Sequence, residues 1–226
     1  MIRAAGSSDS QVSRSALQQL CQQYWYPLYT FVRKQGHDSN SAADLTQAFF
    51  ADLLEREDLK RVDADLGKFR SFLLASVKHF IINHWRRERT AKRGGGVPAI
   101  SIDFAHANRR FLEIAGDGRP PESEFEREWA TTLLDRVHQR LRKEYEQRGR
   151  AHVFDKLKMF LAGKSDESTL AAAAQQLSLT EVAAKVTVHR MRARFGEMLR
   201  AEIRSTVTSD EDVEEEIQQL FAALRS

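Results

Sequence analysis

Apolar residues recur at helical spacing along most of this chain, and no long alternation of apolar and polar positions appears. Leu17, Leu20, Cys21, Tyr24, Trp25, Leu28 and Phe31 form a first helical stripe. Pro27 interrupts it and predicts a new helix starting in that first turn, and Gly36 ends it. Ser39 or Ser41 is the expected cap of the next helix, where Leu45, Phe49 and Leu53 line one face beside Phe50 and Leu54. A polar loop, Lys60–Lys68, follows. The third stripe, Phe69, Phe72, Leu73, Val77, Phe80, Ile81 and Trp85, runs out into basic sequence and stops at Gly94–Gly96.

From Gly94 to Pro121, glycine, proline and mixed polarity predict a linker, with ISIDF (100–104) as a short extended piece at most. Helical spacing resumes near Glu122 with Phe125, Trp129, Leu133, Val137 and Leu141. Val153, Phe154, Leu157, Phe160 and Leu161 make another stripe. Then STLAAAAQQL, a short connection around Ser178, and TEVAAKVTVHRMRARF predict a helix, a tight turn and a longer basic helix, with Thr180 as N-cap. The last segment holds six acids and one base, with Val213, Ile217, Leu220, Phe221 and Leu224 on one side of a helix. Two fates stay open for it: shielding the basic helix of the second domain as a DNA mimic, or completing a hydrophobic surface.

The expected fold is all-α: two small helical domains joined by a flexible linker, with a C-terminal acidic amphipathic helix. The expected bounds are 13–95, a linker at 96–121, a second domain at 122–207 and the acidic helix at 208–226. Composition changes this picture little. The formal net charge is only +3, so local clusters matter more than the total. The single cysteine, Cys21, lies on an apolar stripe and reads as a core residue. The N-terminus has no apolar h-region and no run approaches a membrane span, so a cytoplasmic protein is expected.

The densest cluster is the window Lys78–Arg93, KHFIINHWRRERTAKR, with six bases against one acid. Basic side chains interleaved with Phe80 and Trp85 can hold a polyanion while bases stack. A second basic run, KVTVHRMRARFGEMLR, follows in the second half. Either run alone is as readily a solvated helix face. The histidines form no HExxH or CxxC arrangement, and no phosphate loop is present, so neither an enzyme nor a cofactor is expected.

LQQLCQQYWYPLYTFVRKQG, DLTQAFFADLLE, GKFRSFLLASVKHFIINHWRRER and LSLTEVAAKVTVHRMRAR, in that order, resemble the extracytoplasmic-function (ECF) sigma factors of bacterial RNA polymerase. The resemblance implies a first domain that binds the polymerase clamp and melts the −10 promoter element, and a second that binds the −35 element. It places Asp44, Gln47 and Ala48 at the clamp. It places Arg61, Lys68, Phe69 and Arg70 where a flipped −10 base is captured, and His79 and Asn83 at base-reading positions. Arg86, Arg87 and Arg89 would meet backbone phosphates, and Lys185, His189, Arg190 and Arg192 would form the recognition-helix face. The implied partners are core RNA polymerase, through clamp and flap, duplex promoter DNA and the melted strand. An anti-sigma factor or a Ser/Thr kinase is an optional further partner. One departure stands out: the family is often acidic around Asp44, whereas here Ala42, Ala43 and Ala48 occupy that stretch. A phosphate on Ser39, Ser41 or Thr46 would restore negative charge there. The alternative reading is a helix-turn-helix regulator that does not bind polymerase.

Overall fold

The computed structural model describes residues 10–55, 69–88, 103–114, 116, 118–162, 167–207 and 209–225. Every regular element among them is helical: α1 Ser10–Lys34, α2 Ser39–Glu55, α3 Phe69–Glu88, α4 Phe104–Ile114, α5 Pro121–Gln147, α6 Ala151–Leu157, a 3-10 turn Lys158–Ala162, α7 Glu167–Gln176, α8 Glu181–Arg204 and α9 Asp210–Arg225. No described helix is long and apolar enough to cross a membrane.

Contacts group the chain into two compact units, Met1–Thr132 with Ile203–Ser226, and Leu133–Glu202. The grouping cuts across the expected domain bounds. The first part of α5 and all of α9 go with the first unit.

In unit 1, α1 stays continuous through Pro27 instead of restarting there. A proline inside a helix removes one backbone hydrogen bond. Here Tyr24, Trp25, Leu28, Tyr29, Phe31 and Val32 are all buried on either side of it, and that packing holds the helix together. Cys21 is buried as expected, and burial pushes its thiol up to about 12. The cap of α2 is neither Ser39 nor Ser41. Asp38 accepts from the amides of Asn40 at 2.9 Å and Ser41 at 3.1 Å, and from the Ser41 hydroxyl at 2.6 Å. Those bonds, the Ser41 hydroxyl first, hold the Asp38 carboxyl below its usual pKa.

α4 lies inside the stretch expected to be linker. Asp103 caps it, accepting from the His106 amide at 2.9 Å, and Ala107 and Phe111 are its buried positions. The Arg33 guanidinium sits 4.2 Å from the Phe111 ring centre and donates to Asn108, tying α4 to α1.

The start of α5 carries four glutamates at alternate positions, and each meets a base from another helix. Glu122 pairs with Lys78 at 2.7 Å and Glu124 with Lys34 at 3.6 Å, while Glu126 pairs with Arg70 and Glu128 with Arg110. Alternate residues of a helix point about 200° apart, so Glu122 and Glu126 fall on one side of α5 and Glu124 and Glu128 on the other. That is why α5 can gather bases from α1, α3 and α4 at once, and why its first part joins unit 1. Burial outweighs Arg110 at Glu128 and raises that carboxyl's pKa.

Unit 2 is built on Leu133, Val137 and Leu141 of α5, Val153, Phe154, Leu157 and Phe160, Leu170, Ala173 and Ala174 of α7, and Ala184, Val188, Met191 and Met198 of α8. The ring of His138 lies edge-on to Phe154, with centres 4.9 Å apart.

Candidate nucleic-acid interface

Within unit 1 the expected site residues fall into two classes. At the start of α3, Phe69 is 2% and Arg70 4% exposed. Phe69 packs edge-on against Tyr24, ring centres 5.3 Å apart, and beside Phe72. Its amide reaches the Thr206 carbonyl at 3.4 Å. Arg70 lies 4.4 Å from the ring centre of Trp129 and donates to Glu216 through Nε at 3.2 Å and Nη2 at 3.0 Å. It also meets Gln219 and Glu126. Neither Phe69 nor Arg70 offers a surface to a base in this arrangement, against the sequence expectation. The reason is an aromatic and acidic enclosure supplied by α1, α5 and α9, which lie far off in the chain.

Further along α3, His79 and Asn83 are exposed, one turn apart, and Ile82 between them is 55% exposed. Leu73, Val77 and Ile81 anchor the opposite side of the helix. The buried stripe therefore fixes an outward face that carries two polar side chains able to hydrogen-bond base edges, and one apolar side chain. Arg86 and Arg87 extend α3, but their side chains lie outside the described residues, as do Arg61, Lys68 and Arg89 altogether.

On α2, Asp44 is exposed and Gln47 and Ala48 are half-buried; spaced i, i+3, i+4, the three share one face. Leu45, Phe49 and Phe50 hold the other face in the core. Thr46 is fully buried and its hydroxyl donates to the Ala42 carbonyl at 2.7 Å. Of the three hydroxyls considered for modification, Thr46 is the one withdrawn from the surface.

In unit 2 the turn between α7 and α8 is closed by backbone. The Leu179 amide reaches the Ala174 carbonyl at 2.9 Å, and Ser178 takes a positive φ of 52°. Thr180 caps α8 as expected, its hydroxyl accepting from the Ala183 amide at 3.2 Å. Ala184, Val188 and Met191 are buried, which turns Lys185, His189 and Arg190 to solvent together. Arg192 is exposed as well, but its Nε donates to the Phe160 carbonyl at 2.9 Å, so it is partly committed to the fold. Arg194 is committed further: Glu144 accepts from it at 2.6 and 3.1 Å, and Glu197 at 3.0 Å. Those bonds raise its pKa and hold Glu144 below the usual carboxylate range.

Sequence reasoning did not single out two residues. Val182 is 72% exposed in the first turn of α8, one turn ahead of Val186, itself 43% exposed. An apolar pair at i, i+4 beside Lys185 and His189 was legible as a contact face. Glu216 had no such signal, since nothing in an acidic helix marks which carboxylate will be buried.

Among the described residues no cluster of histidine, cysteine or carboxylate side chains could hold a metal ion. What the exposed groups can do is bind: cations for phosphates, amide and imidazole groups for base edges, valines for thymine methyls. Neither curated proteins nor solved structures returned a match to this chain. A comparison with family models did: residues 20–91 match sigma-70 region 2. That stretch spans α2 and α3 and most of α1, so it holds both the Asp44 face and the His79–Asn83 face. The match covers about a third of the chain and shows that this part is similar to region 2 of sigma-70 proteins.

Proposed function

We propose that this protein is a sigma factor of the ECF type, which directs core polymerase to two-element promoters and melts the −10 element. The observation that carries the reading is the pairing of a region 2 match with a separate basic helix in unit 2, α8, whose buried stripe leaves Lys185, His189 and Arg190 outward. In this reading α7 and α8 form a helix-turn-helix, and α8 reads the −35 duplex in the major groove. The α2 face at Asp44, Gln47 and Ala48 meets the polymerase clamp. The α3 face at His79 and Asn83 reads the melted −10 strand, and Arg86, Arg87 and Arg89 neutralise its phosphates. The protein acts in the cytoplasm, by binding and with no reaction of its own, and an anti-sigma factor or a Ser/Thr kinase is a candidate regulator.

Run-off transcription tests it. The full chain added to core polymerase on a promoter library yields discrete transcripts, and Asn83→Ala lowers open-complex formation by permanganate footprinting more than it lowers closed-complex binding. A chain that binds promoter DNA but never retains core polymerase overturns the reading.

A further inference from the structure

Arg70 is unusual among the cations of unit 1. One guanidinium meets two carboxylates, Glu126 and Glu216, and the amide oxygen of Gln219 besides. Acceptors are in excess. The two carboxylates also hold different edges. Glu126 pairs through Nη1, whereas Glu216 takes the Nε–Nη2 edge with both oxygens, at 3.2 and 3.0 Å. That two-point fork is the geometry arginine uses for phosphate as well as for carboxylate. Glu216 therefore stands where a phosphate oxygen pair would fit, and the guanidinium would keep Glu126 if Glu216 left.

Glu216 comes from α9, whose buried stripe is Val213, Glu216, Leu220 and Ala223. Two of these are branched aliphatic side chains, and Ile217 and Leu224 beside them are half-buried. Ahead of α9, the Thr206 carbonyl meets the Phe69 amide at the weak distance of 3.4 Å. The Arg204–Asp210 pair that spans the joint is more than 60% exposed on both sides. Asp210, Glu211, Glu214 and Glu215 stay exposed on α9.

We propose that α9 is an intramolecular latch: Glu216 occupies the Arg70 guanidinium that the melted promoter strand takes once α9 swings away. The latch rests on the sigma-factor reading above, and it accounts for the two-point contact between Glu216 and Arg70. Held by α9, Arg70 waits at the head of the helix that carries His79 and Asn83. α9 then regulates by mimicking the strand's phosphate within unit 1, and strand capture and α9 docking exclude each other.

The test uses the full chain and a labelled single-stranded oligodeoxynucleotide of mixed sequence. Glu216→Gln keeps the shape of the side chain and removes the competing charge, so it raises affinity about tenfold, within the usual range of coupling between two linked equilibria. Leu220→Ser loosens α9 through a different contact and raises affinity in the same direction. Glu214→Gln removes the same charge from the exposed face and changes affinity less than twofold at physiological salt, where exposed charges are largely screened. Hydrogen exchange of the amides of residues 210–225 in the wild type speeds up when the oligonucleotide is added. Exchange that stays slow while the oligonucleotide binds, or an equal gain from Glu214→Gln and Glu216→Gln, overturns the latch and leaves the sigma-factor reading standing. Failure of both wild type and Glu216→Gln to bind any single strand overturns the strand-melting reading, and the latch with it.

Discussion

The two units differ in the cations they enclose. In unit 1 Arg70 is 4% and Lys34 8% exposed, and each is matched to a carboxylate that is itself partly or fully enclosed. In unit 2 Lys185, His189 and Arg190 stand in solvent, and the pairs Arg194–Glu144 and Arg142–Asp155 lie on the surface. Enclosing a cation commits it to the fold, because removing either partner leaves an uncompensated charge where water cannot reach. Leaving it outside costs the fold little and keeps it available for a ligand. Equal counts of basic residues can thus mean structure in one region and recognition in another, and burial of the neighbouring stripe decides between them.

The largest expected effect breaks a unit 1 pair. Arg70→Ala strands Glu216 and Glu126 and removes the contact on Trp129, so it destabilises the chain by about 3–5 kcal/mol in urea unfolding followed by tryptophan fluorescence. Arg194→Ala, which removes a pair with shorter hydrogen bonds but an exposed guanidinium, costs about 0–1 kcal/mol. Equal costs for the two substitutions would erase the distinction between the units.

That contrast also marks what the sequence could tell. The stripes around Tyr24, Phe49, Val77, Val137 and Met191 were legible because a helix repeats every 3.6 residues and a core needs one apolar face. So was the Thr180 cap, since a hydroxyl before a periodic run has a local purpose. α4 was hidden by the glycines and prolines on both sides, although Asp103 ahead of Phe104, Ala107 and Phe111 carried a capping signal. Pro27 argued locally for a break, and long-range packing overrode it. The partners of Arg70 were hidden for a different reason. A basic residue at a helix start looks free in sequence, and its partner Glu216 is 146 positions away. Local rules read caps and stripes; they do not read pairs closed by the fold.

The outward set in unit 2 sharpens the comparison from the other side. Lys185→Ala and Arg190→Ala weaken duplex promoter binding by about 1–3 kcal/mol each if they contact base edges. Both leave the unfolding midpoint unchanged, as surface substitutions do. Fluorescence anisotropy and thermal melting on the same samples check the two halves. A stability loss at either position would mean that α8 uses these side chains internally. Thr180→Ala behaves in the reverse manner: it removes the bond to the Ala183 amide and lowers stability by about 1 kcal/mol, seen as a lower denaturation midpoint.

The smallest effect tests how far unit 2 encloses His138. His138 is half-buried against Phe154, and its pKa is lowered. Burial is the main cause, followed by Lys158; Arg142 acts in the same direction, while Asp135 and Asp155 oppose. A histidine whose folded pKa lies below its unfolded value of about 6.5 binds a proton more readily once the chain unfolds. Stability is then complete above that pH and declines as pH falls through 6.5 toward the folded value. His138→Gln removes this dependence and leaves every other histidine in place. The difference in urea midpoint between pH 7.5 and 5.5 should therefore be larger for the wild type than for the variant. Equal differences would show that His138 is as well hydrated in the folded chain as in the unfolded one.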